Sequence, residues 1–116
     1  MADSSLQIQE AKKGDVCVVT LAGRIDSTNA EQLMARLSTL LHAGETRVLV
    51  DMKQVIYLTS AAFRALLVAA DEAERRAAQF TLCSVLGQVR ELFEMGGLLD
   101  AFTIHASSDE AIRQLG

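Results

Sequence analysis

The spacing of the apolar residues changes period repeatedly along this chain, and that succession limits the folds open to it. Leu6, Ile8 and the run Val16 to Leu21 read as two strands, and Lys12-Lys13-Gly14-Asp15 between them reads as the tight turn of a hairpin. Ala30, Leu33, Met34, Leu37, Leu40 and Leu41 then recur at three and four, which predicts a helix. Thr28 with Glu31 forms a capping box at its start, and Gly44 marks its end. Arg47 to Asp51 is short, apolar and β-branched, as a buried central strand is, and Val55 to Leu58 follows as an apolar loop or an extension of that strand.

From Ser60 the period is helical again. Phe63, Leu66, Leu67, Ala70, Ala73 and Ala77 share one face, while Ser60, Arg64, Val68, Asp71 and Arg75 fall on the other. Phe80 to Val85 predicts a strand, and a short helix carrying Val89, Leu92 and Phe93 closes at Gly96-Gly97. Phe102 to His105 is a last short strand. A final helix opens at Ser107, with Glu110 three residues on, and carries Ile112 and Leu115. A hairpin followed by alternating helices and strands predicts a single α/β domain over residues 1–116, with a mixed sheet of about four to five strands and helices packed on it.

Composition narrows the function classes. The 116 residues hold 11 basic and 15 acidic side chains, a net charge of −4, and no basic block. That balance offers no broad attraction for nucleic acid or an anionic membrane. The longest apolar run, Ala65 to Ala70, is far short of the roughly 20 residues that span a bilayer. Met1 to Gln9 has no basic n-region, so the expected location is cytoplasmic. Cys17 and Cys83 sit in separate apolar stretches without C-x-x-C spacing or a neighbouring histidine, and read as buried free thiols. Proline is absent, and no stretch is rich enough in Gly or Ser to be a linker.

Few residues suggest chemistry. There is no phosphate-cradling glycine loop and no histidine pair at metal-ligand spacing, so neither cofactor nor metal is expected. Ser60, Asp100 and His105 occur in the order of a hydrolase triad. The flanks that a nucleophile elbow keeps as glycine are Leu58 and Ala62, however, and nothing resembles an oxyanion hole. An enzyme is not the expectation.

One stretch is more specific. Val48 to Leu66 contains a strand ending in Asp51, a short loop, Tyr57-Leu58, and then Thr59-Ser60-Ala61-Ala62-Phe63 at a helix start. Upstream, Leu21-Ala22-Gly23-Arg24-Ile25-Asp26-Ser27-Thr28-Asn29-Ala30 leads into the first helix. Together these resemble the signature of the STAS family, in particular the bacterial anti-sigma factor antagonists. The glycine and leucine usual after the serine motif are Ala62 and Phe63 here. The resemblance implies a partner switch, in which such a protein binds an anti-sigma factor that is also an ATP-using serine kinase and so frees a sigma factor. Phosphorylation of the serine that maps onto Ser60 undoes the binding, and a phosphatase restores it. It further implies that Asp26, Ser27 and Thr28 join Thr59, Ser60 and Ala61 in the partner surface.

The residues themselves are consistent with that use. A hydroxyl at a helix N-terminus is exposed, and a phosphate of about −1.5 to −2 charges is best tolerated there, whereas an interface packed on it must desolvate the charge. The plainer roles stand beside it. Thr59 or Ser60 can be an N-cap, and Arg64, Val68, Asp71 and Arg75 can be a solvated helix face, although Val68 among charges points to a contact patch. The other open reading is a constitutive STAS interaction module of a transporter or signalling assembly, never phosphorylated.

Overall fold

The computed structural model describes residues 5–115. Strands β1 (Leu6–Lys13) and β2 (Val16–Ile25) pair antiparallel from Leu6 opposite Gly23 to Lys13 opposite Val16. The hairpin loop is therefore Gly14-Asp15 alone. Lys12 and Lys13, expected in the turn, complete β1 instead, because Gly14 takes the positive φ (+61°) that so short a loop demands.

Helix α1 (Ala30–His42) follows, then β3 (Arg47–Leu58), α2 (Ser60–Arg75), β4 (Gln79–Cys83), α3 (Gly87–Met95), a 3-10 turn at Leu99–Ala101, β5 (Thr103–His105) and α4 (Ser108–Leu115). Val55 to Leu58 is thus strand extension, not loop. The strands lie in the order β1-β2-β3-β4-β5, and β2 to β5 run parallel. The sheet is mixed and five-stranded, at the upper end of the expectation.

That order decides where the helices go. Each crossover from β2 onward steps to the next strand in the same direction, so right-handed connections stack α1, α2 and α3 on one face. Their apolar stripes meet Val19, Leu21, Val48, Val50 and Leu82 in the larger core. Helix α4 crosses to the opposite face, where Ala111 and Leu115 cover Val16, Val18, Leu49 and Cys83. With both faces covered, Val48, Leu49 and Val50 are all fully buried, which is why β3 reads as a continuous apolar run.

The core face of α2 is turned from the expected one. Ala62, Ala65, Leu66, Ala69 and Ala73 are buried, while Leu67 is 37% exposed. Small side chains let the helix sit close to the sheet, and the periodicity of large residues alone misplaced the stripe by about one position. Ala77 lies beyond the helix with φ +57°, in a closing turn where the Ala78 amide donates to Ala73 O at 2.8 Å. Strands β4 and β5 are shorter than expected: Val85 falls after β4, which ends before Ser84 (φ +59°), and Phe102 precedes β5.

The capping box at Thr28 and Glu31 does not form. Asn29 holds the N-cap position of α1, and the Thr28 hydroxyl donates to Asp26 instead. At α4, Ser107 Oγ does accept from the Glu110 amide at 3.2 Å, but the Glu110 carboxylate turns to His105 rather than back to the cap.

Candidate functional site

The ends of β2 and β3 place two segments side by side. Ile25 is registered against Leu58, and the Thr59 amide donates to Ile25 O at 3.0 Å, so Asp26 and Ser60 leave the sheet at the same edge. Gly23 permits this course. Its φ is +108°, a β-bulge shifts the register there, and the Arg24 amide donates to Ser5 O at 2.9 Å.

The upstream loop is tied by its own polar groups. Asp26 Oδ1 accepts from both the amide (2.9 Å) and the hydroxyl of Thr28, which holds its carboxyl below the usual carboxylate range. Asn29 works inward: its Oδ1 accepts from the Asp26 amide, and its Nδ2 donates to Ser5 Oγ and Arg24 O, each at 3.0 Å. At 6% exposure it is one of three buried polar residues among the described residues, and it locks the loop that leaves Ser27 and Thr28 exposed. Asn29 stands in the upstream motif of the sequence with no role of its own assigned there, although an Asn immediately before an apolar helical period is itself a cap signal.

At the other segment Thr59 is the N-cap residue of α2, extended at φ −111°, ψ 179°, and its carbonyl accepts from the amides of Ala62 (2.9 Å) and Phe63 (3.2 Å). Its side chain does no capping. Thr59 Oγ1 is buried and has no hydrogen-bond partner among the described residues. Ser60, first in the helix, is exposed, and Ala61 is half-buried. The start of α2 therefore has no side-chain cap, a condition that favours an anion there.

The outer face of α2 continues the surface. Arg64, Val68, Asp71 and Arg75 are all exposed, as the sequence places them, and Asp71 pairs with Arg75 one turn on. Leu67 belongs here as well: seven residues from Ser60, it returns to nearly the same azimuth. Leu67 and Val68, 37% and 41% exposed, make an apolar strip between charged neighbours. At the rim, the Arg24 guanidinium sits over the Tyr57 ring, 4.9 Å from its centroid.

The substitution of Phe63 for leucine has a packing explanation. Its ring meets Phe93 of α3 edge-on at 4.9 Å, and Phe93 meets Phe102 likewise at 5.8 Å. Ala62 is fully buried. The triad order in the sequence is not assembled as one, since His105 Nδ1 faces Glu110 Oε2 at 3.4 Å and Asp100 lies in the exposed 3-10 turn.

A five-stranded sheet with three helices on one face and a helix-start serine beside a tied loop is the arrangement of a STAS domain. Residues 7–111 match the STAS domain family, and the chain belongs to it. It is similar to BtrV of Bordetella bronchiseptica, a protein provisionally named an anti-sigma factor antagonist, with 37% identity over 94 residues that cover 81% of this chain and 80% of that one. The fold is that of an anti-sigma factor antagonist from Mycobacterium paratuberculosis (TM-score 0.86, 19% identity, 96% and 94% of the two chains). It is also that of the Bacillus cell fate determinant SpoIIAA in its phosphorylated form (TM-score 0.74, 23% identity, 95% and 100%).

Proposed function

We propose that this protein is an anti-sigma factor antagonist of the cytoplasm, and that it binds an anti-sigma factor with ATP-dependent serine kinase activity through the Ser60 end of the molecule. The surface comprises Asp26, Ser27 and Thr28 of the tied loop, Thr59, Ser60 and Ala61 at the helix start, and Arg64 and Val68 along α2. Phosphorylation of Ser60 ends the complex, and a phosphatase reverses it. The observation that carries this reading is the exposed Ser60 at a helix N-terminus without a side-chain cap, with no base among the described residues hydrogen-bonded to its hydroxyl. The base must come from the partner. In the transfer, Ser60 Oγ attacks the γ-phosphorus of kinase-bound ATP, its proton passes to a kinase base, and ADP leaves.

Phosphate at this position costs the folded chain little and costs an interface much. The helix end receives the charge, whereas a partner packed on Ser60 would have to bury it unpaired. Ser60→Asp should therefore lose partner affinity by several kcal/mol, while Ser60→Ala binds as the unmodified protein does and cannot be switched off. Ser60 is not the cap, so Ser60→Ala should also leave the melting temperature unchanged or slightly raised, Ala being the better helix former by about 0.5 kcal/mol.

The test is affinity capture from the native cell with both variants as bait, followed by calorimetric titration against the captured kinase and mass spectrometry after reaction with ATP. A kinase retained by Ser60→Ala and lost by Ser60→Asp, with phosphate on Ser60, is the expected result. Membrane transport subunits captured equally by both variants would replace the switch with the constitutive module.

A further inference from the structure

Arginine placement in this acidic chain is uneven. Arg36, Arg47, Arg75, Arg76 and Arg90 each pair with a carboxylate. Among the described residues Arg24, Arg64 and Arg113 form no ion pair with a carboxylate, and Arg113 lies on α4, on the face of the sheet opposite α2. Arg24 and Arg64 thus stand at the Ser60 end of a molecule whose net charge is −4, the charge of Arg24 already acting on the Asp26 carboxyl. They are not equivalent. Arg24 is held over Tyr57. Arg64 is exposed with no ion pair, four residues after Ser60 in the same helix. Side chains four apart share a face, with Cβ atoms about 5–6 Å from each other, and helical side chains lean toward the N-terminus, so Arg64 overhangs the turn that Ser60 begins.

We propose that Arg64 reads the state of Ser60 by changing partners: in the unmodified protein its guanidinium anchors an acidic group of the bound partner, and on phosphorylation it folds back onto the phosphate. This rests on the partner-switch reading and adds to it a second cause of release. Beyond placing charge in the interface, phosphorylation withdraws the cation that the interface uses. The kind of partner surface follows from the charges. It carries a carboxylate opposite the first turns of α2, beside an apolar contact for Leu67 and Val68, because the unpaired Arg64 guanidinium would repel a basic face there. Arg24, already stacked, stays where it is in both states.

A phosphate monoester loses its second proton near pH 6, and a guanidinium in contact favours the dianion and lowers that value. With phosphoserine incorporated at position 60 during translation, the ³¹P resonance can be titrated in the isolated chain, so the measurement stands apart from whether any kinase is found. Arg64→Gln should raise the phosphate's second pKa by about 0.5 unit, and Arg24→Gln should leave it unmoved. Gln is a good helix former, and circular dichroism checks that α2 persists. In the unmodified protein, Arg64→Gln should weaken binding to the captured kinase about five- to tenfold, with a shallower dependence on salt. An unmoved phosphate titration in Arg64→Gln, an equal shift in Arg24→Gln, or an unchanged affinity of Arg64→Gln for the kinase would each overturn the proposal. Failure of Ser60→Asp to release the kinase would instead remove the switch on which it rests.

Discussion

At Gly23 the backbone meets two demands at once. Its φ of +108° lies where side chains are strained, and a Cβ built there would stand 2.0 Å from Ser5 O, inside any tolerable contact. The obstructing atom is backbone, itself accepting from the Arg24 amide, so it cannot turn aside. Gly23→Ala should cost about 3 kcal/mol or more. Denaturant titration measures that cost, and hydrogen exchange should show lost protection concentrated at Arg24 and Asn29, whose bonds fix the loop carrying Ser27 and Thr28. A loss under 1 kcal/mol would show that the β1 end simply moves away. The residues of the candidate site divide by how they can be read. Ser60 is legible because two motifs of the STAS family fall in register around it, whereas a hydroxyl at a change of period by itself marks only a helix start. Asn29 is not, since its work is a set of bonds to Ser5, Arg24 and Asp26 that only the folded chain brings within reach.

The helices and strands show the same division one level up. Period and length identify all four helices and all five strands, because burial on a sheet imposes those spacings directly. Their ends and their rotation are less legible. The outward turn of Leu67 follows from close packing of Ala62, Ala65 and Ala69, and small residues carry little weight in a pattern read from large ones. The end of α2 was hidden for a related reason: an apolar Ala77 continues the period while its backbone has already left the helix. This end offers a stabilising change. The Ala77 amide donates to Glu74 O at 3.1 Å and the Ala78 amide to Ala73 O at 2.8 Å, a closure that ordinarily carries glycine at the left-handed position. Ala77→Gly removes about 1–2 kcal/mol of left-handed strain and returns about 0.4–1 kcal/mol of unfolded-state entropy. The net expectation is a gain of a few tenths to about 1 kcal/mol, seen as a small rise in melting temperature, and partner affinity should stay the same because Ala77 lies at the far end of α2 from Ser60. A fall in stability would mean that the strain is not there.

Across the whole molecule the two thiols couple the cores to alkaline pH. Cys17 belongs to the large core and Cys83 to the core under α4, both almost wholly buried, and β3 runs between their strands. Burial pushes both thiols up; Cys83, with the charge of Asp51 beside it on β3, is raised to about 11. An unfolded chain ionises the same groups near 9. Below that pH both states hold their protons, and the thiols leave stability independent of pH. Between about 9 and 11 the unfolded state has released protons that the native state keeps, so unfolding becomes easier with each step upward. The slope approaches a limit of about 1.4 kcal/mol per pH unit for a single thiol. Urea titrations from pH 7.5 to 10.5 should therefore give a plateau followed by a decline. The comparison that isolates the thiols is with Cys17→Ala/Cys83→Ala, which starts lower for its lost packing but should decline less steeply. Labelling gives the matching kinetic result: a thiol reagent should modify neither cysteine of the native protein at pH 7.5, and both once urea unfolds it. Parallel declines in the two proteins, or rapid native labelling, would place the thiols outside the cores to which their burial assigns them.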